Sequence, residues 1–257
     1  MDRMTMPAPA GGRAPSLDKD PRRIAGMFDA IAHRYDQLNH LLSAGLDRRW
    51  RRVAVDALEL IDGDQVLDVC TGTADLAIAA TAAGVPRVRV LGVDFAAEML
   101  LLGLGKLRAA GLDGQIRLAR GDAARLPCAT EVIDAVTVGF GIRNVQDTAA
   151  AITEMSRVLK PGGRLAILEF GEPRMPGLRA FYLWYFRWVL PQIGRWLSRH
   201  TDAYAYLPAS VSAFLTPDQL AALLEQSGFT EIRVERLSFG VVYLYVARKV
   251  AEPPTVD

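Results

Sequence analysis

Three aspartates stand at the ends of successive apolar runs, and a string of small residues follows the first of them. Val66-Leu67-Asp68-Val69-Cys70-Thr71-Gly72-Thr73-Ala74-Asp75 reads as a strand ending on an acid, a tight turn and the start of a helix. Small side chains there let the backbone come close to a ligand. Asp94 closes the next run, 22 residues beyond Gly72, where a carboxylate can accept hydrogen bonds from two ribose hydroxyls. Gly121-Asp122-Ala123 closes the third. Here Asp122 can accept from an adenine amino group while the backbone beside it, at Ala123, reads a ring nitrogen. Taken singly, Asp68 and Asp94 could cap helices, Asp75 could serve as a first-turn acid and Asp122 as a turn residue. Their occurrence together at consecutive strand ends points to a nucleoside.

The charge on that nucleoside follows from the same residues. Gly72-x-Ala74-x-x-Ala77 lacks two of the three glycines of the dinucleotide fingerprint. A pyrophosphate would also be poorly served by Asp68 and Asp75 flanking the turn. The sulfonium and ammonium of S-adenosylmethionine (SAM) would be attracted to them. Beyond the fourth apolar run lies Phe140-Gly141-Ile142-Arg143-Asn144, which brings a cation and an amide to the same edge. No metal-ligand spacing is present, and His33, His40 and His200 are scattered.

These residues need a sheet to hold them. Apolar runs Gln65 to Cys70, Val88 to Asp94, Ile116 to Asp122, Val132 to Phe140 and Arg164 to Phe170 alternate with helical patterns, as in βαβ units of a parallel sheet covered on both faces. A helix from Asp147 to Leu159 is expected to stop at Pro161, with Gly162-Gly163 turning the chain into the fifth strand. A capped helix begins at Thr216-Pro217. Glu231 to Leu237 and Val241 to Arg248 are joined by so short a link that they must pair antiparallel. The expected fold is thus α/β: a mostly parallel sheet finished by an antiparallel C-terminal hairpin. Residues 1–20 and 250–257 read as tails, 21–63 as a helical cap over the carboxyl ends of the strands, and 64–249 as the main domain, with a helical insertion at about 174–214.

Charge and composition narrow the partners. Net charge is +1 with 51% hydrophobic residues, which fits a globular protein and not a nucleic-acid-coating surface. The first twenty residues lack the apolar core of a secretion signal, so a cytoplasmic location is expected. Cys70 and Cys128 are too few for a disulfide framework and are read as reduced and structural.

Over residues 24–248 the chain resembles the C-methyltransferases of menaquinone and ubiquinone biosynthesis, within the seven-stranded, Rossmann-like SAM-dependent class. The specific stretches are Phe28-Asp29-x-Ile31-Ala32-x-x-Tyr35-Asp36-x-x-Asn39 and Phe140-Gly141-Ile142-Arg143-Asn144. Leu42-Ser43-x-Gly45 with Trp50-Arg51, Asp68-Val69-x-x-Gly72-Thr73, Arg157-Val158-Leu159-Lys160-Pro161-Gly162-Gly163 and Leu168-Glu169-Phe170 add to them. The resemblance implies SAM contacts at Thr73, Asp94, Asp122 and Ala123, with a further one at Gly139, where the family often has serine. Ala74 stands where a glycine is common, which is tolerable if its φ is negative. Asp47 stands where histidine is frequent and receives no role.

The implied reaction is methylation of a ring carbon of a prenylated quinol, most readily demethylmenaquinol to menaquinol. Arg143 is expected to stabilise the developing quinolate and Asn144 to orient it. Tyr35 and Asp36 would contribute from the N-terminal helix. Arg143 has two candidate partners, Asp36 and a structural carboxylate. His33 is a proton acceptor by its pKa range and a surface residue by its isolation. Aromatics on nearly every face of Phe181 to Leu190, with Tyr204 to Leu207, suit a lipid-facing lid and peripheral contact with the inner face of the cell membrane. A packing or homodimer face is the alternative use of that surface. Rival functions are a SAM methyltransferase for another small apolar substrate, a catalytically silent SAM-like scaffold and an NAD-dependent oxidoreductase.

Overall fold

A computed structural model of the chain describes residues 19–173, 175, 177 and 202–251. Seven strands form one sheet: β1 (Gln65–Val69), β2 (Arg89–Asp94), β3 (Ile116–Arg120), β4 (Ile133–Gly139), β5 (Leu159–Phe170), β6 (Phe229–Leu237) and β7 (Val242–Lys249). Their spatial order is β3-β2-β1-β4-β5-β7-β6. The first five pair in parallel, and β7 runs antiparallel to both β5 and β6. The expected α/β fold with its antiparallel end is therefore the fold observed. The link between β6 and β7 is a short 3₁₀ turn, Ser238–Gly240, too short for a crossover.

The strands alternate because both faces are covered. Leu67, Val69, Val136, Val138 and Ile167 join one core cluster, while Val66, Ala135, Ala166 and Leu168 join the other. Helices α1 (Pro21–Leu42), α2 (Leu46–Asp56), α3 (Asp75–Thr81), α4 (Ala97–Ala110), α5 (Thr148–Val158), α6 (Asp202–Ala213) and α7 (Pro217–Gln226) surround the sheet. Asp147 caps α5 through the N–H of Ala150. Thr216 and Gln219 form a reciprocal capping box at α7, with Pro217 in its first turn.

One local expectation needs correcting. Lys160-Pro161-Gly162-Gly163 does not turn the chain ahead of the fifth strand; it lies inside β5 as a bulge, between the pairs Ile133↔Leu159 and Ala135↔Arg164. Gly162 has φ +74°, and a Cβ on Gly163 would stand 2.8 Å from the carbonyl oxygen of Lys160. The glycines let β5 kink across this unpaired stretch and rejoin the ladder at Arg164. Phe181 to Leu190, His200 and the outer tails lie outside the described residues. No described helix is long and apolar enough to cross a membrane.

Strand order reverses between β1 and β4, whose helical crossovers leave in opposite directions. Open α/β sheets have a crevice there, beyond the carboxyl ends of the strands. The ends of β1, β2 and β4 supply the site, and α1 lies across them.

Candidate active site

Asp68 is buried in the middle of the sheet, in register with Gly92 on β2 and Thr137 on β4. One carboxylate oxygen accepts from Thr71 Oγ1 at 2.6 Å, the other from Thr137 Oγ1 at 2.8 Å. Burial pushes its carboxyl up to about 6, against the pull of these two hydroxyls. Both oxygens are thus occupied inside the protein: Asp68 shapes the turn and places a charge beneath it. A Cβ on Gly92 would stand 2.8 Å from Thr71 Oγ1, so glycine on β2 makes room for this hydroxyl.

The turn is built from left-handed backbone. Cys70, Gly72 and Ala74 have φ of 56°, 55° and 70°. The condition under which alanine would be easily tolerated at position 74, a negative φ, is not met: its Cβ is borne in a conformation that normally selects glycine. A Cβ on Gly72 would meet nothing within 4 Å, which leaves an open face above the turn. Asp94 anchors the turn from β2, accepting from the N–H of Gly72 at 2.8 Å and of Ala96 at 2.9 Å. Burial raises the Asp94 carboxyl, partly offset by backbone N–H donors. The N–H groups of Gly72, Phe95 and Ala96 take three of its about four lone-pair sites, which leaves room for a ligand hydroxyl. The next turn adjoins it, because the N–H of Gly121 donates to the Asp94 carbonyl. Asp122 is exposed and accepts from the N–H of Ala124 at 2.9 Å; Ala123 is buried.

An open-faced glycine turn with a buried acid below it, a second acid holding the turn and a third at the rim have the donor and acceptor chemistry of a cationic nucleoside site. A pyrophosphate at Gly72 would find the cation of this cavity, Arg51, already paired with carboxylates.

Helix α1 closes over this turn. Thr73 Oγ1 donates to Asp36 at 2.6 Å, and Lys106 Nζ on α4 lies 2.8 Å from Asp36 and 3.2 Å from Thr73 Oγ1. Lys106 also pairs closely with Asp75, which Arg51 reaches at 3.3 Å. Arg51 in turn pairs closely with Asp47, which accepts from Ser43 and lies 2.7 Å from His40 Nδ1. Burial opposes ionisation of Asp47, but His40, Arg51 and Ser43 together hold its carboxyl low. His40, Asp47 and Asp75 come within 4.8 Å of one another, yet Arg51 and Lys106 already neutralise the two carboxylates. Asp36 is thus on the cofactor side, paired with Lys106 and not with Arg143. Tyr35 lines the same cavity as Arg51, Thr73, Gly139 and Phe140. Burial pushes its phenol up, and it senses both Arg143 and Asp94. His33 is exposed.

The turn after β4 packs against the turn after β1: a Cβ on Gly141 would stand 2.3 Å from Cys70 Cβ. Phe140 to Asn144 therefore shares a wall with the cofactor turn. At Gly139 a Cβ would approach Leu76 Cδ2 to 3.1 Å, so a serine there would press on α3. Arg143 and Asn144 are 5% and 6% exposed. The Arg143 guanidinium donates to Glu169 at 2.6 Å, to the Phe140 carbonyl and to Ser210 at 3.3 Å, and it lies 5.4 Å from the Phe170 ring centroid. Its partner is the structural carboxylate weighed above. Glu169 and Arg51 are visible in the sequence only as parts of motifs, and Tyr206 only within an apolar segment. Lys106 and Ser210 carry no signal until the elements are assembled.

Comparison with known proteins shows the family. Residues 17–249 match the model of the ubiE/COQ5 methyltransferase family. A protein of Syntrophotalea carbinolica named ubiquinone/menaquinone biosynthesis C-methyltransferase UbiE is 48% identical over 219 residues, covering 85% of this chain and 91% of that one. A demethylmenaquinone methyltransferase of Bacteroides fragilis is 40% identical over 231 residues, covering 90% and 94%. Among solved structures, a SAM-dependent methyltransferase from Aquifex aeolicus aligns with TM-score 0.59 at 18% identity, over 90% of this chain and 99% of that one. The [4+2]-cyclase SpnF aligns with TM-score 0.67, also at 18% identity, over 90% and 96%. These two likenesses concern the fold.

Proposed function

This chain belongs to the ubiE/COQ5 methyltransferase family, and we propose that it methylates a ring carbon of a prenylated quinol with SAM as donor, converting demethylmenaquinol to menaquinol. The observation that carries this reading is the contact between two turns. The glycine turn after β1 and the Phe140 to Asn144 turn after β4 meet at Cys70 and Gly141, so donor and acceptor chemistry have a common wall.

When bound, SAM supplies an electrophilic methyl group. Asp94 would hold its ribose, Asp122 and Ala123 its adenine, and Gly72, Thr73 and the Gly139 backbone its amino-acid end, over the charge of Asp68. Asp36 and Lys106 fix the Thr73 hydroxyl, and Arg51 and Asp75 continue that network. The acceptor ring needs electron density at the reacting carbon, which an ionised neighbouring hydroxyl provides. Asn144 has a buried amide oxygen with no donor, which suits a ring O–H. Arg143, steadied by Glu169, supplies a fixed positive field beside it. Tyr35 bridges the two halves. Holding both reactants in line supplies much of the rate.

A polyprenyl tail resides in the bilayer, so the reading includes peripheral contact with the inner membrane face. The aromatic segment Phe181 to Leu190 supports it by composition. Its other use is a homodimer face, which sedimentation with and without vesicles distinguishes. The function is tested by methyl transfer from labelled SAM to reduced demethylmenaquinone and to a benzoquinol analogue, with the product mapped. A ring-carbon product on the naphthoquinol is expected. An O-methyl product refutes the chemistry, preference for the benzoquinol refutes the substrate, and SAM binding without transfer to either favours a silent scaffold.

A further inference from the structure

Buried polar atoms are nearly always hydrogen-bonded, so those that are not ask for a partner. Three such atoms occur among the described residues. His40 Nδ1 is accounted for by Asp47 at 2.7 Å. The other two are Asn144 Oδ1 and the hydroxyl of Tyr206, which belong to different elements that meet: α6 packs on the 3₁₀ turn Ile142–Asn144. Ser210, one helical turn beyond Tyr206 and therefore on the same face, lies 3.3 Å from Arg143 Nε. The Tyr206 phenol senses both Arg143 and Glu169, and burial pushes it up. At neutral pH it remains a neutral O–H, able to donate and accept but not to serve as a base.

From these unpartnered atoms on facing elements we propose that Tyr206 is a substrate-binding residue: its hydroxyl, together with the Asn144 carbonyl, receives a hydroxyl of the acceptor ring beside Arg143. The proposal rests on the quinol reading above and adds to it a residue from α6, outside the strand ends that hold the cofactor. It also gives a reason for leaving two polar groups unsatisfied in the free protein, since each finds its partner in the substrate.

The test is Tyr206→Phe in the full chain, with three readouts: methyl transfer from labelled SAM to a short-chain demethylmenaquinol, SAM affinity by calorimetry, and melting temperature. The expected result is kcat/KM for the quinol lowered by about tenfold to a hundredfold, the size of one lost hydrogen bond to a polar or charged partner. SAM affinity should stay within about twofold of wild type, because Tyr206 is placed against the acceptor. Melting temperature should not fall, because the hydroxyl removed has no partner in the free protein. Unchanged kcat/KM in an active wild-type background overturns this proposal alone. A parallel loss of SAM affinity, or a melting temperature several degrees lower, overturns it too by assigning the hydroxyl to the cofactor site or the fold. A wild-type enzyme inactive on every quinol overturns the functional reading and this inference with it.

Discussion

Replacing Arg143 by Met removes a charge while keeping most of the volume packed on Phe170, and the structure sets what this should cost. Arg143 and Glu169 are 5% and 1% exposed, with their charged atoms 2.6 Å apart. Breaking a buried pair from one side costs about 3–5 kcal/mol, because the remaining charge is left without its counterion. Here Glu169 keeps two donors, the backbone N–H groups of residue 143 at 3.2 Å and Phe170 at 2.8 Å. The low end, about 3 kcal/mol, is therefore expected. Glu169→Gln leaves the guanidinium with the Phe140 carbonyl, Ser210 and an amide oxygen, and should cost about 2 kcal/mol. In the double variant no charge is buried, and the new amide oxygen can take the place of Oε1 and accept from the N–H of Phe170, while the N–H of residue 143 loses its Oε2 acceptor. Its stability should again lie about 2 kcal/mol below wild type, a coupling of about 3 kcal/mol. Urea unfolding of the four proteins at pH 7 measures this cycle. The double variant should also bind SAM normally yet turn over at least about a hundredfold more slowly, the scale of losing one oriented electrostatic donor. An Arg143→Met variant within about 1 kcal/mol of wild type, or additive singles, would refute the buried pair. A double variant with wild-type turnover would remove Arg143 from the acceptor machinery.

Asp94→Ala should weaken SAM binding by about 1.5–3 kcal/mol in calorimetry and lower the melting temperature, since Gly72 and Ala96 lose an acceptor; unchanged affinity in a folded variant removes Asp94 from the site. Asp68, raised from 3.8 to about 6, favours the native state most below pH 4, and that contribution is lost as pH rises through 6. Relative to Asp68→Asn, wild-type stability should therefore fall by an amount on the order of 3 kcal/mol between pH 4 and pH 7, and a flat difference in urea melts would contradict the burial. Ala74→Gly relieves a left-handed alanine and should raise stability by about 0.5–1 kcal/mol, read as a higher melting temperature; a lower one would mean that the buried methyl outweighs the strain.

What the sequence made readable is what is local. Four of the five parallel strands, β1, β2, β4 and β5, announce themselves because their central residues are buried on both faces and so form an apolar run, whereas β3 at the sheet edge carries exposed Arg117 and Arg120. The acids at their ends stand out because a strand end, a turn and a helix start are read within ten residues of each other. The same locality explains the misreadings. Pro161-Gly162-Gly163 has the composition of a turn, and only the ladder to β4 shows that it is a bulge within β5. At Ala74 the residue type argues for negative φ, but the turn is fixed from outside by Asp94 holding Gly72, and alanine follows.

Side-chain partners were the unreadable part, because they join elements far apart in the chain. Asp36 meets Lys106 across 70 residues and Arg143 meets Glu169 across 26. The second pair nevertheless follows once the strand order is known. Gly139 at the end of β4 is in register with Leu168 on β5, so the turn leaving β4 must pass beside Glu169. An arginine four residues beyond Gly139, buried at that edge, has within reach a carboxylate that is buried with it. The sheet thereby fixes the position of Arg143, while the described polar groups left unpaired near it are the amide oxygen of Asn144 and, on the helix packed against that turn, the phenol of Tyr206.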